Sequence, residues 1–496
     1  MKAALRHRTV GIAVGLILAA IVVYSLSALE LRRASVAISH VSISGTPVTL
    51  YRPHAADALP LVVVAHGFGG SRQMMERISI ALAKSGHTVA AFDFPGHGRN
   101  PVPLSRDVGS IDGTTRQLVD VTRAVAAGTL QQADASAPVS YVGHSMATDV
   151  IIRAAEGTEP VGAIGAISMY SDAVTPASPL RLLIVSGASE GHLREVALRA
   201  IRQIDANAME GQTVADGELE RRAVVAPRVG HVGVLYSDAT LTEVVTWIGA
   251  RDADAATATA GPPGALPGIL LVALVLLGWP LSKLLPKRAL TDEAIVTRRT
   301  CLLAVSLPAL PVFGVLLTVP GGLGPSFGLA PLAAAFAVWG AVQLAVLHYV
   351  RRLEIRFDAL GNVAVLLWGL GVFALALDRY GAAFLPTGPR LAGMFLFCFG
   401  TIPFVLADSY LLRGAPIWRR VVARLAFLVV LGAAMSLAPF ELGLSFTVLP
   451  VLVLFFLVYG SFARWVANRR GPEGAWVSTG LALAWALAAS TPVFAA

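Results

Sequence analysis

The sequence predicts two structural classes in one chain: an α/β domain with a mostly parallel sheet, fused to an all-α polytopic membrane domain. Three observations carry this. Of the 496 residues, 55% are hydrophobic and only 14% charged, with a mean hydropathy of +0.68, whereas a soluble chain carries about 25% charged residues. Residues 31–260 alternate short apolar runs with amphipathic stretches, the pattern of a parallel sheet covered on both faces. Beyond residue 263 the chain is a succession of apolar spans whose flanking Lys and Arg fall on alternate loops, which is a topology signal. The formal charge of +8 divides accordingly. Residues 31–260 hold 19 Lys/Arg against 22 Asp/Glu, while residues 261–496 hold 17 against 8. The basic excess belongs to the membrane segments, and a nucleic-acid partner is excluded.

At the N-terminus, residues 1–8 carry Lys2, Arg6 and Arg8, and residues 9–29 are uncharged. About 20 apolar residues cross a bilayer, so this run reads as a signal anchor. No clear small-x-small cleavage site precedes Glu30, which favours the anchor over a cleaved signal peptide. The basic tail then stays in the cytoplasm, and the domain after the anchor lies outside.

Residues 34–251 form the expected extracytoplasmic domain. Residues 36–51 alternate like an antiparallel hairpin turning at Ser44-Gly45. Apolar runs at 61–65, 88–92, 140–142, 163–169, 182–185 and 223–225 read as strands. Helical patterning covers 72–84, 113–126, 147–155, 193–208 and 240–248. Residues 252–263, rich in Ala, Thr, Asp, Gly and Pro, read as a linker.

Residues 264–496 predict about eight further spans, near 264–282, 301–319, 330–350, 360–377, 391–412, 425–440, 442–462 and 475–495. Fifteen Lys/Arg fall on one set of loops and two, Arg379 and Arg390, on the other. That asymmetry agrees independently with an N-terminus inside and a domain outside, in a multi-pass protein of the cell membrane. Asp408 and His348 fall near the inner ends of their spans, Glu441 and Asp378 near outer ends, so these read as boundary residues rather than a buried relay. Cys301 and Cys398 lie in apolar runs without disulfide or metal spacing and read as packing residues.

The chemistry-bearing residues lie in the α/β domain. Gly143-His144-Ser145-Met146-Ala147 comes after an expected strand and opens an expected helix. A serine on so sharp a turn needs small neighbours two positions away on each side, and Gly143 and Ala147 supply them. The turn exposes the Ser145 hydroxyl at the positive end of the helix. After another strand comes His66-Gly67-Phe68-Gly69-Gly70. An oxyanion that develops at a carbonyl needs two preorganised donors. The backbone N–H of Met146 is one candidate, and that of Phe68 is the other.

Together with Phe92-Asp93-Phe94-Pro95-Gly96-His97-Gly98-Arg99, these motifs resemble the α/β-hydrolase superfamily, especially its monoglyceride-lipase-like and serine-aminopeptidase-like branch. The resemblance covers about residues 45–250 and leaves the membrane half unrecognised. It implies a nucleophile, then an acid, then a histidine in chain order. His231, in Arg228-Val229-Gly230-His231-Val232-Gly233, matches the family's histidine position after the last strand. Glu190, after Leu182–Ser186 and Gly187, stands where the family has an aspartate, and Asp172 after the preceding strand is the competing acid. The middle motif is a structural turn, so Asp93 and His97 are not expected in the chemistry. Only about a dozen residues separate the expected strands on either side of Asp172, which leaves no room for a helical lid.

These expectations converge on a membrane-anchored serine hydrolase that cleaves a carboxylic ester or related acyl bond. Ser145 is the nucleophile, His231 the base and Glu190 the orienting acid, with no metal or organic cofactor implied. Its partner is a small-molecule or lipid-like acyl substrate. A membrane acyltransferase would use the same acyl-enzyme, and a third reading makes the outer domain a non-catalytic sensor for a transporter or signalling protein.

Overall fold

The computed structural model describes residues 2–54, 58–156, 160–249, 263–288, 295–319, 330–438, 442 and 447–495. It divides into two compact units. One comprises Val23–Ile269 with Arg379–Ala383, and the other Met1–Val22, Leu270–Asp378 and Phe384–Ala496. Most of the expected linker, residues 252–262, lies outside the described residues.

In the first unit, nine strands form one sheet: β1 Ala37–Ile43, β2 Thr46–Arg52, β3 Leu59–Ala65, β4 Thr88–Phe92, β5 Ala135–His144, β6 Val161–Ile167, β7 Arg181–Gly187, β8 Thr213–Asp216 and β9 Leu219–Ala226. Their spatial order is β1-β2-β4-β3-β5-β6-β7-β9-β8. The strands from β4 to β9 in that order are parallel, and β1, β2 and β8 close the two edges antiparallel. The α/β class and mostly parallel sheet therefore hold. The first hairpin turns at Ser44 and Gly45, with φ of +48° and +79°, the backbone twist that a two-residue hairpin loop favours. Of the second hairpin, β8–β9, the strand expected at 223–225 forms part of β9, while β8 is not among the expected strands. The hairpin turns at Gly217-Glu218 with φ of +58° at the glycine.

Burial explains the central strands. Leu61, Val62, Val63, Val64 and Ala65 are all fully buried, because successive side chains point to opposite faces and both faces are covered. Helices α2 Glu76–Lys84 and α6 Asp238–Ile248 pack with Val62, Val64, Val89 and Val142 in one core. Helices α3 Arg116–Gln132 and α4 Ala147–Ala155 pack on β3, β5 and β6, and α5 Gly191–Arg202 on β7 and β9. Helix α5 is shorter than the expected 193–208, and a 3-10 turn, Arg72–Met75, precedes α2.

The pairings Ala65 with Gly143, His144 with Ile167, Ile167 with Val185 and Gly187 with Ala226 align the carboxyl ends of the parallel strands. Loops leaving such an edge are where open α/β sheets place their sites.

The second unit is helical. Among the described residues, seven helices are long and apolar enough to cross a membrane: Thr9–Arg33, Arg298–Thr318, Ala330–Arg351, Ala359–Tyr380, Pro389–Leu411, Ile417–Leu437 and Val448–Arg470. Two further apolar helices are shorter, Leu266–Ser282 and Trp476–Ser490, at 17 and 15 residues. At 1.5 Å per residue each falls short of a hydrocarbon core of about 30 Å, so the nine expected crossings become seven full-length helices and two short ones. The expected span 425–440 is displaced: its helix begins at Ile417 and takes Arg419, Arg420 and Arg424 into its first two turns. Long arginine stems reach the interface from within a helix, which a count of uncharged residues misses.

Of the boundary residues, Asp408 pairs with Arg424 at 2.9 Å. Asp378 accepts from the backbone N–H groups of Phe384 and Leu385. Glu441 lies outside the described residues. Cys301 is buried and Cys398 half-buried.

Candidate active site

Strand β5 ends at His144, helix α4 starts at Ala147, and the chain turns between them at Ser145, whose φ is +54°. A non-glycine residue in this region is strained, and the surroundings hold it there. The Ser145 N–H donates to the Ile167 carbonyl at 2.9 Å. Its carbonyl accepts from the N–H and hydroxyl of Thr148 at 2.9 and 2.7 Å. The expected small flanks have a visible reason. A Cβ on Gly143 would lie 2.9 Å from both the Ala147 carbonyl and Ile151 Cδ1, and Ala147 is fully buried.

Ser145 Oγ lies 2.8 Å from His231 Nε2, and His231 Nδ1 lies 2.5 Å from Glu190 Oε1. An ionised carboxylate only accepts. Nδ1–H therefore donates to Glu190, and Nε2 is left to accept from the serine hydroxyl. The second carboxylate oxygen of Glu190 accepts from the Gly187 N–H at 2.5 Å and the Ser168 hydroxyl at 2.8 Å. Burial raises the Glu190 pKa, but the hydrogen bonds from His231, Gly187 and Ser168 outweigh it and hold the carboxyl below its ordinary range. The His231 side chain remains 48% exposed against 6% for Glu190. The charge is thus inside and the proton-accepting ring opens toward solvent.

The glycine-rich loop sits against the serine. A Cβ on Gly67 would approach His144 Nδ1 to 2.9 Å and Ser145 Cβ to 3.0 Å. His66 is buried and pins the loop, its Nδ1 at 2.8 Å from the Gly67 carbonyl while its Nε2 accepts from the Phe94 N–H at 3.1 Å. The Phe68 ring stands edge-on to His97, with centroids 5.3 Å apart. Among the described residues, the backbone N–H groups of Phe68 and Met146 donate no hydrogen bond, which leaves both available to an incoming oxyanion.

The remaining residues sort by their contacts. Asp93 is fully buried, paired with Arg72, and accepts from the backbone N–H groups of Arg72 and Arg99. His97 is held 2.8 Å from the Pro95 carbonyl. Asp172 is exposed on the connection after β6, while Glu190 is the carboxylate on His231. That connection, residues 168–180, contains one isolated bridge, Thr175 with Ser178, and no helix.

Sequence reasoning misses two supports. Ser168, at φ of +53°, directly follows β6 and donates its hydroxyl to Glu190. Its only signal is a serine directly after an apolar strand. His144 reads from the sequence as part of the motif turn alone. It is buried, and its Nε2 lies 2.8 Å from the His231 carbonyl. Burial, with His231 beside it, pushes its pKa down to about 4, so the ring is neutral near pH 7 and donates Nε2–H to that carbonyl. Among the described residues, no group of three or more His, Cys, Asp or Glu is arranged to hold a metal ion.

Comparison with known families bears on the fold of this segment. The model for the alpha/beta hydrolase fold matches residues 60–168, which include the glycine-rich loop and Ser145. Residues 60–168 are an α/β-hydrolase segment. The chain is similar to a dienelactone hydrolase from Anabaena variabilis, with 20% identity over 43% of this chain and 97% of that one, at a TM-score of 0.31. It is similar to an esterase from Pyrobaculum calidifontis, with 15% identity over 50% and 94%, at 0.33. It is also similar to a monoglyceride lipase from Saccharomyces cerevisiae, with 11% identity over 43% and 95%, at 0.31. No curated protein matches the chain, and the membrane half matches no family model.

Proposed function

We propose that the α/β-hydrolase segment and its flanking strands form a membrane-anchored serine hydrolase acting on a carboxylic ester or related acyl bond. The observation that carries this reading is the relay from Ser145 Oγ to His231 Nε2, and from His231 Nδ1 to Glu190, at 2.8 and 2.5 Å. Positions 145, 190 and 231 come from three separate loops, and a surface histidine has no structural need to bridge a strained serine and a buried carboxylate.

In the proposed reaction, Ser145 Oγ attacks the substrate carbonyl as its proton passes to His231 Nε2. Glu190 stabilises the imidazolium through Nδ1–H and keeps the ring oriented. The N–H groups of Met146 and Phe68 receive the oxyanion, and each such donor is worth about 100- to 1,000-fold in rate. His231 returns the proton to the leaving alkoxide. Water, deprotonated by His231, then cleaves the acyl-enzyme. The lidless connection at 168–180 and the exposed face of His231 favour an amphipathic acyl substrate that approaches an open cleft.

We place the hydrolase domain outside the cell membrane and the basic loops inside, on the strength of the 15-to-2 charge asymmetry. The decisive experiment is fluorophosphonate labelling of isolated membranes. The wild type should label, and Ser145→Ala and His231→Ala should not. A folded wild-type protein that resists the probe overturns the enzyme reading.

A further inference from the structure

Helix Ile417–Leu437 opens with Arg419, Arg420 and Arg424, and helix Val448–Arg470 carries Arg464. Membrane topology asks only that such cations sit at the ends of spans, exposed to water. Arg420, Arg424 and Arg464 do something more specific, because they converge on one cleft. Arg424 lies over the Phe456 ring, 4.3 Å from its centroid, and Gly460 makes room for it: a Cβ there would lie 3.5 Å from Arg424 Nη1. Arg420 precedes Arg424 by one helical turn and Arg464 comes one turn after Gly460. Arg420 is within electrostatic reach of both other arginines. The floor between the helices is Phe404 of helix Pro389–Leu411. Its ring meets Phe427 at 5.3 Å on one side and Phe456 at 6.4 Å on the other.

The charge in this cleft is not balanced. Asp408 faces it and bonds Arg424 at 2.9 Å. Among the described residues, the side chains of Arg420 and Arg464 make no hydrogen bond or ion pair, and the Nε groups of Arg420 and Arg424 are buried without an acceptor. Three guanidinium groups against one carboxylate leave two positive charges without a counter-ion, on the half-buried Arg420 and the exposed Arg464. Beside the arginines the same two helices are apolar and exposed. Val421 and Leu425 come after Arg420 on one helix, and Leu457 and Val453 precede Arg464 at helical spacing on the other.

We propose that this cleft binds one anionic phospholipid, its phosphate held by Arg420, Arg424 and Arg464 and its acyl chains lying along the adjoining apolar faces. Guanidinium forks match phosphate oxygens bidentately, and the apolar track beside them selects a lipid over a free anion. The proposal needs only that these helices face lipid, and it is independent of the hydrolase chemistry.

The test is native mass spectrometry of the full-length protein in detergent, titrated with phosphatidylglycerol, with phosphatidylcholine, and with inorganic phosphate. The wild type should retain phosphatidylglycerol in preference to phosphatidylcholine, and millimolar phosphate should not displace it. Each arginine near a membrane surface contributes about five-fold to anionic-lipid affinity. The double variant Arg420→Gln/Arg464→Gln should therefore lose roughly twenty-five-fold. Arg420→Lys/Arg464→Lys should keep part of the binding, and Arg352→Gln, on another loop, all of it. Equal retention of the two lipids, ready displacement by phosphate, or full binding by a folded double glutamine variant each overturns the site. Should that variant unfold, the wild type decides alone. Photoactivatable phosphatidylglycerol must then crosslink to the peptides bearing residues 417–425 or 453–464, and crosslinking elsewhere refutes the proposal.

Discussion

Ser145 has a neutral histidine on one side and a buried carboxylate beyond the other, and each support has its own pH signature. An unfolded histidine titrates near about 6.5, whereas His144 in the fold takes a proton only near about 4. Between those values the unfolded chain binds a proton that the folded chain refuses, so acidification across that window destabilises the fold by about 3 kcal/mol. Glutamine at 144 keeps a donor toward the His231 carbonyl and does not titrate. Samples of His144→Gln heated at pH 4 to 6.5, returned to neutral pH and then labelled with fluorophosphonate should lose less thermal tolerance toward pH 4 than the wild type does. Glu190 acts in a lower window. Its folded pKa is depressed, so its stabilisation is present above the ordinary carboxylate range and disappears as pH falls through the folded value. Ser168 is the group on Glu190 that a point mutation removes most cleanly. Hydrogen bonds to charged groups contribute about 1.5–3 kcal/mol, and this one acts on the imidazolium rather than on bound substrate. Ser168→Ala should lower kcat on a short acyl ester about ten-fold and leave KM nearly unchanged. An unchanged kcat would show that Gly187 and His231 alone hold the carboxylate.

At the scale of elements, the connection between β6 and β7 stays short and ordered because of a residue on another strand. Arg221 of β9 is fully buried. Its guanidinium donates to the carbonyls of Thr175, of Ser178 at 3.2 Å and of Ala200 at 2.9 Å, and to Gln203 Oε1 at 2.7 Å. It thereby ties the lidless connection to the end of α5. Arg221→Leu leaves four neutral acceptors without their donor, and a buried polar group so orphaned costs about 1–3 kcal/mol. Urea titration of fluorophosphonate labelling should show the midpoint moving down accordingly. An unmoved midpoint would mean that water replaces the guanidinium. This residue also marks a limit of sequence reading. The run Ala223–Val225 announces a strand, but nothing in the sequence marks Arg221, two residues earlier, as buried against the 168–180 connection. The site is more legible than the strand. Strain at Ser145 demands small flanks that stand in the sequence at Gly143 and Ala147. Ser168 and His144 are not legible, because their roles depend on the register of β5 against β6 and on a loop about 90 residues away.

For the whole molecule, the sequence separates the two classes of structure because their physics differs. Uncharged runs mark the helices long and apolar enough to cross a membrane, whereas alternating runs mark the sheet. It overcounts the full-length crossings because hydropathy registers the short helices Leu266–Ser282 and Trp476–Ser490 as strongly as the long ones. It also misplaces the span at 425–440, because arginines inside Ile417–Leu437 look like a loop. What hydropathy leaves to charge is orientation, and the charge is strongly biased. Moving the basic loops across a bilayer against an inside-negative potential is unfavourable. One arrangement therefore puts residue 352 inside and residue 209 outside. Met209 is exposed in the hydrolase unit and Arg352 is exposed at the end of Ala330–Arg351, so both positions accept a reporter. In a background with Cys301→Ser and Cys398→Ser, Met209→Cys should react with a membrane-impermeant maleimide on intact cells. Arg352→Cys should react only after permeabilisation. The opposite pattern would turn the hydrolase domain into the cytoplasm and remove extracellular acyl compounds from its range of substrates. Equal labelling on intact cells would show that the charge bias does not fix a single topology.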